Sequence, residues 1–126
     1  MYRVLIVDDE PEIARSLRRV LKGTYEVEVV SSGQEALAKL DELRPDIVIS
    51  DFRMPELNGA ELLTEVRRRL PDSIRLILSG FADLDAKLLA DHQSSISTFV
   101  KKPWRNDELL ETLGKLIAER EQSKPS

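Results

Sequence analysis

Five times along this chain a short apolar run gives way to a segment whose apolar residues recur every three or four positions. A strand that is hydrophobic without alternation is covered on both faces, and helix-period segments between such strands are the crossovers that parallel pairing requires. The alternation therefore implies an α/β fold with one doubly wound, five-stranded parallel sheet and five helices on its two faces. Helix signals punctuate it. Pro11 suits a first helical position and Gly23 a stop, with Ile13, Leu17, Val20 and Leu21 on one face. Ser32 and Glu35 are spaced as a capping box before Ala36, Leu37, Leu40 and Leu43, and Pro45 closes that helix. A third helix after the Asn58-Gly59 loop carries Leu62, Leu63, Val66 and Leu70, and a fourth is expected over residues 83–91. The fifth, with Asn106 as its cap, carries Leu109, Leu110, Leu113, Leu116 and Ile117. Strands are expected at 4–7, 26–30, 46–50, 74–78 and 96–100.

A length of 126 residues suits one domain, taken as residues 1–120 with 121–126 as a tail or the start of a linker. The absence of cysteine excludes structural disulfides and thiolate metal sites. Apolar runs are only a few residues long and the first strand begins at once after Met1-Tyr2-Arg3, so neither a signal peptide nor a membrane span is expected, and the location expected is cytoplasmic. Lys and Arg number 19 against 23 Asp and Glu, a net charge of -4, which is the wrong sign for a domain that binds phosphate backbones. Direct nucleic-acid binding by this chain is not expected.

Four of the apolar runs end on chemically active residues: Asp8-Asp9, Asp51, Ser79 and Lys101-Lys102. In an open parallel sheet the carboxyl ends of the strands share one edge, where ligands bind. Three acids, a hydroxyl and an ammonium should meet there, a set suited to a divalent cation and a phosphoryl group. Clustered carboxylates repel one another, and a hard cation such as Mg²⁺ relieves that repulsion. Taken singly, Asp8 and Asp9 could serve only the positive end of the first helix, and Asp51 only the next loop. Strand alternation aims one of the two lysines across the pocket, and Lys102 before Pro103 is the better candidate. Ser79 precedes Gly80, so its hydroxyl could donate to a phosphoryl oxygen where the glycine admits close approach; an ordinary turn serine is the other reading.

Other features carry less. His92 is the only histidine, which removes a histidine metal cluster and an internal phosphohistidine relay, and it is read as a solvated loop residue. Arg67-Arg68-Arg69 flanks core-facing Val66 and Leu70 and is read as a solvated helix face. Trp104 is either packed under the last helix or exposed beside it. Neither a dinucleotide fingerprint nor a P-loop occurs.

With Val-Asp-Asp-Glu-Pro at 7–11, Ser-Asp-Phe-Arg-Met-Pro-Glu-Leu-Asn-Gly at 50–59, Leu-Ser-Gly at 78–80 and Phe-Val-Lys-Lys-Pro-Trp at 99–104, the chain resembles the receiver domains of two-component response regulators over residues 3–119. The resemblance implies a flavodoxin-like sheet of strand order 2-1-3-4-5. It further implies that Asp51 takes a phosphoryl group from a histidine kinase or phosphotransfer protein. Mg²⁺ would be held by Asp9, Asp51 and the backbone carbonyl of Arg53, with Asp8 acting through water. Lys102 would pair with the phosphoaspartate. Ser79 would move inward and Phe99 would rotate, changing the face made by the fourth helix, the fifth strand and the fifth helix. That face would engage a downstream effector domain or protein, or a second copy of the chain. Such a switch needs about 5 kcal/mol of differential stabilisation, within reach of a few charge-assisted hydrogen bonds. A cis peptide at Lys102-Pro103 also belongs to the family pattern.

Ser79 stands where threonine is frequent in the family and Phe99 where tyrosine is common. The string at 79–86, with Lys-Pro-Trp at 102–104, is similar to receivers joined to HD-GYP cyclic-dinucleotide phosphodiesterases or to hydrogenase-type transcription activators, although Gln93-Ser94-Ser95 replaces a glycine common before their fifth strand. Two other functions compete with this one. An interaction module of the same fold would bind partners without phosphate, and the intact residue set argues against it. A metal-dependent phosphatase of the haloacid-dehalogenase type would need an acid two residues after the nucleophile, where Arg53 stands. The chain is thus expected to catalyse only its own phosphorylation and dephosphorylation, with Arg53 and Phe81 flanking the site.

Overall fold

The computed structural model describes residues 1–80 and 92–123. Its elements follow the order β1 (Arg3–Val7), α1 (Pro11–Leu21), β2 (Glu26–Val30), α2 (Gly33–Leu43), β3 (Ile47–Asp51), α3 (Gly59–Arg69), β4 (Ile74–Gly80), a single 3₁₀ turn (Gln93–Ser95), β5 (Thr98–Lys102) and α4 (Asn106–Ser123). The helix expected over residues 83–91 lies outside the described residues, so α4 is the fifth helix of the sequence reading.

All five strands pair in parallel, in the order β2-β1-β3-β4-β5. Burial separates the central strands from the edges. Every residue of β3 is buried, as are the last four of β1, because helices cover both faces. The edge strand β2 is mostly exposed and β5 is exposed or half-buried throughout, and β2 carries Glu26 and Glu28, charges that discourage further strand pairing. Two apolar layers flank the sheet. One joins Leu5, Val7 and Ile77 to Ala36 and Leu40 of α2 and Leu62, Leu63 and Val66 of α3. The other joins Ile6, Ile49 and Leu76 to Leu17 and Leu21 of α1 and Leu109 and Leu113 of α4.

Three strands end later than their apolar runs suggest. β3 runs from Ile47 through Asp51, β4 continues through Gly80, and β5 occupies Thr98–Lys102 rather than residues 96–100. Ladder hydrogen bonds join backbones and are indifferent to a polar side chain, so pairing continues through Asp51↔Leu78, Ser79↔Lys101 and Gly80↔Lys102. Asp51, Ser79 and Lys102 therefore sit on strand and not on the loops that follow, whereas Asp8 and Asp9 lie just past the end of β1.

Helix ends show where sequence cues need correction. Ser32 Oγ accepts from the Glu35 backbone N–H as expected, but the Glu35 carboxylate reaches back to the N–H of Ser31. The complete capping box belongs instead to Asn58 and Glu61 at the start of α3. Asn106 is the first residue of α4 and not its cap; its Oδ1 accepts from Trp104 Nε1 at 3.1 Å. Pro11 opens α1 behind Glu10, whose side chain makes no capping bond. Gly59 is required by close approach, since a Cβ there would lie 2.3 Å from the backbone oxygen of Asp51. Here α3 presses directly on the strand end that carries Asp51.

Candidate functional site

β1, β3, β4 and β5 deliver their carboxyl ends to one edge of the sheet, and the residues there form a pocket of about 460 Å³ lined by Asp9, Glu10, Asp51, Phe52, Arg53, Ser79, Gly80 and Lys102. Asp51 is 5 % exposed, and its Oδ1 accepts from Lys102 Nζ at 2.8 Å. Lys102 reaches inward across the pocket, while Lys101 is exposed, as alternation along β5 requires. Ser79 is 4 % exposed at the pocket wall. Phe99 lies on the exposed side of β5.

Carboxylate oxygens of Asp8, Asp9, Glu10 and Asp51 all lie within 4.8 Å of one another. Asp8 is 2 % exposed; its Oδ1 accepts from the Glu10 backbone N–H at 2.9 Å, and its Oδ2 is buried with no hydrogen-bond partner among the described residues. Burial, followed by the nearby charge of Asp51, pushes the Asp8 carboxyl up to about 6, against the lowering effect of the Glu10 N–H. Burial also raises Asp51, although the hydrogen bond and charge of Lys102 pull the other way. Burial by itself would lower Lys102, but its bond to Asp51 and the surrounding carboxylates leave it above its ordinary value. An orphaned carboxylate oxygen beside three more carboxylates, with too few cations to balance them, is a donor set that fits a hard divalent cation.

The structure thus brings together Asp8, Asp9, Asp51, Ser79 and Lys102, with Arg53 on the pocket wall. Sequence reasoning missed Glu10, whose Oε1 stands 3.8 Å from Lys102 Nζ. Its signal was available: it directly follows Asp8-Asp9 and precedes the helix-starting Pro11, so it stays at the sheet edge. The Lys102-Pro103 peptide is cis. A second cleft of about 490 Å³ adjoins the pocket, sharing Gly80 and Lys102 with it and lined by Ile13, Val20, Pro103 and Trp104. Trp104 is half-buried and packs with the α1 and α4 layer.

His92 is not simply solvated: its Nδ1 lies 2.8 Å from Thr64 Oγ1. Arg68 and Arg69 pair with Glu65, whose carboxyl they hold down at about 2; Arg67 and Arg68 are exposed, but Arg69 is half-buried and also donates to the Leu37 carbonyl of α2 at 3.2 Å, so only part of the arginine run is the solvated face expected of it.

The sequence model of the response regulator receiver domain matches residues 4–114. The hydrogenase transcriptional regulatory protein HoxA of Cupriavidus necator is 37 % identical over 114 residues, covering 90 % of this chain and 24 % of that protein. The chain thus spans about a quarter of the length of that regulator. The chemotaxis protein CheY of Thermotoga maritima is 33 % identical over 116 residues, covering 90 % of this chain and 96 % of its own. Among solved structures, the signal receiver domain of an HD domain-containing protein from Pseudomonas fluorescens Pf-5 superposes with a TM-score of 0.88 at 28 % identity, covering 97 % of this chain and 98 % of that one.

Proposed function

The chain belongs to the response regulator receiver domain family of two-component signalling, and from that premise we propose that Asp51 is its phosphoacceptor. The observation that carries this reading is the convergence on Asp51 of Lys102 at 2.8 Å and of a carboxylate cluster with an unpartnered oxygen. A carboxylate oxygen of Asp51 attacks the phosphorus of a phosphohistidine on a histidine kinase or phosphotransfer protein. The P–N bond breaks, and the imidazole leaves with the electron pair and takes up a proton. Asp9, Asp51 and the Arg53 carbonyl would hold Mg²⁺, with Asp8 acting through water; bound there, the ion offsets charge on the transferring phosphoryl group. Lys102 holds the phosphoryl oxygens in line, so the work of this chain is mostly positioning and electrostatics. The adjoining cleft between α1 and Trp104 supports docking of the donor protein within reach of Asp51.

Phosphorylation turns the singly charged Asp51 carboxylate into a dianionic acyl phosphate, adding about one negative charge and three acceptor oxygens to a buried site. Ser79 moves to donate to a phosphoryl oxygen and exposed Phe99 turns inward, which reshapes the face carried by β5 and α4 together with the segment where the sequence places a further helix. That face engages a downstream effector or a second copy of the chain. No step acts on an external substrate: the chain catalyses only its own phosphorylation and the hydrolysis of its acyl phosphate. Residues 1–120 form the working unit. No described helix is long and apolar enough to cross a membrane.

The test is intact-mass measurement after incubation with phosphoramidate and Mg²⁺. Wild type should gain one phosphoryl group, while Asp51→Asn, or wild type with excess chelator, should gain none. An unmodified wild type, or equal labelling of Asp51→Asn, contradicts the assignment.

A further inference from the structure

Among the described residues, Glu10 is the one pocket carboxylate with no part in the reaction just described. Its backbone does structural work, with the N–H donating to Asp8 Oδ1 and the carbonyl accepting from Ala14, but its side chain makes no capping bond to α1. That side chain is 62 % exposed at the pocket mouth, with Oε1 3.8 Å from Lys102 Nζ. Its charge decides the balance of the pocket. Among the described residues Asp8, Asp9 and Asp51 are opposed by Lys102, by Arg53 on the pocket wall and by the divalent cation the donor set fits, which leaves one surplus positive charge; Glu10 cancels it.

We propose that Glu10 is a specificity-determining residue that selects against small anionic phosphodonors, so that the phosphoryl group reaches Asp51 chiefly from a docked protein. This rests on the phosphoacceptor reading. A free acyl phosphate approaches as a dianion, and its encounter with the pocket depends on the net charge it meets at the mouth. A protein donor draws binding energy from contacts elsewhere on its surface and is held in place while the phosphoryl group transfers. Glu10 therefore slows the first route more than the second. With acetyl phosphate, Asp51 oxygen bonds to phosphorus, the P–O bond to the acetyl group breaks, and acetate leaves with the electron pair. With phosphoramidate, a monoanion, the P–N bond breaks and ammonia leaves after protonation.

The experiment compares rates of mass gain with these two donors at fixed Mg²⁺, in wild type, Glu10→Gln, Glu10→Asp and Glu12→Gln. Glu12 lies in the first turn of α1 and shares its helix end with Glu10, but it does not line the pocket. Removing one charge several ångströms from a dianion under aqueous screening should change a rate about three- to tenfold. Glu10→Gln should gain that factor with acetyl phosphate at low salt, gain less with phosphoramidate, and lose the advantage as salt is raised. Glu10→Asp should behave as wild type, and Glu12→Gln should stay within about twofold. An unchanged donor ratio, an equal gain on both donors, or the same gain in Glu12→Gln overturns the proposal. If both donors label wild type and the ratio does not move, only the role of Glu10 falls; if neither labels wild type, the phosphoacceptor reading falls with it.

Discussion

At the amino-terminal edge of the sheet the guanidinium of Arg75, 8 % exposed, donates to the carbonyls of Ser95 at 2.6 Å and Ser73 at 2.7 Å and to Ser73 Oγ at 3.1 Å, whereas at the carboxyl edge Asp8, 2 % exposed, leaves one oxygen unpartnered. Both ends bury charge. At the first, the chain supplies the acceptors itself: Ser97 Oγ also accepts from the Arg75 backbone N–H, tying the start of β4 to the segment that enters β5. Arg120 Nε near the same edge has no partner among the described residues, but its Nη1 reaches Asp46 and its Cζ lies 5.7 Å from the Tyr2 ring centroid. At the second, four carboxylates crowd together, and Lys102 bonds to the one on Asp51. The contrast separates buried charge that completes the fold from buried charge that leaves room for a ligand.

The comparison breaks most visibly at Arg75. Replacing it with methionine keeps much of the volume but strips buried carbonyls of their donors, and should cost about 3 kcal/mol, read from denaturant unfolding. A loss under about 0.5 kcal/mol would show that these bonds contribute nothing net. Gly59→Ala comes next: a methyl group 2.3 Å from Asp51 O and 2.8 Å from Ile77 Cδ1 forces β3 and α3 apart, with a loss of about 2 kcal/mol and slower phosphoryl incorporation at Asp51. Normal labelling by that variant would show that the strand end tolerates displacement.

At the carboxyl edge the sign reverses. Asp8→Asn should stabilise the cation-free protein at neutral pH by about 2 kcal/mol, because it removes a buried charge while keeping the acceptor for Glu10 N–H. The pH dependence follows from the same shift. Asp8 titrates near 6 when folded and near 3.8 in its ordinary state, so between those values the folded chain binds the extra proton. The contribution of Asp8 to stability therefore falls as pH rises through that window and is level above it. Asp8→Asn should remove that slope from urea-unfolding data; an unchanged slope would assign it to another group.

Much of this was legible in the sequence. The central strands announce themselves as unbroken apolar runs, and the order of Asp8, Asp51, Ser79 and Lys102 along them places the pocket. What stayed hidden depends on contacts between distant segments. The strand expected over 74–78 buries Arg75, but what satisfies its guanidinium there depends on the distant Ser95 carbonyl as well as on nearby Ser73. Asn58-Gly59 reads as a turn, and only the packing of α3 against Asp51 shows why glycine is needed. Asn106 resembles a cap because Asn, Ser and Asp share that preference, yet its side chain is taken by Trp104.

The carboxyl edge is most directly tested by calorimetric titration of Mg²⁺ into the wild-type protein at pH 6 and pH 8, with Asp8→Asn alongside. The account predicts one saturable site whose filling releases about half a proton at pH 6 and almost none at pH 8, because the cation displaces the proton Asp8 holds near its midpoint. Weaker binding without that release is expected for Asp8→Asn. Absence of saturable binding, or identical isotherms for the two proteins, would contradict the view that the unpartnered carboxylate awaits a cation.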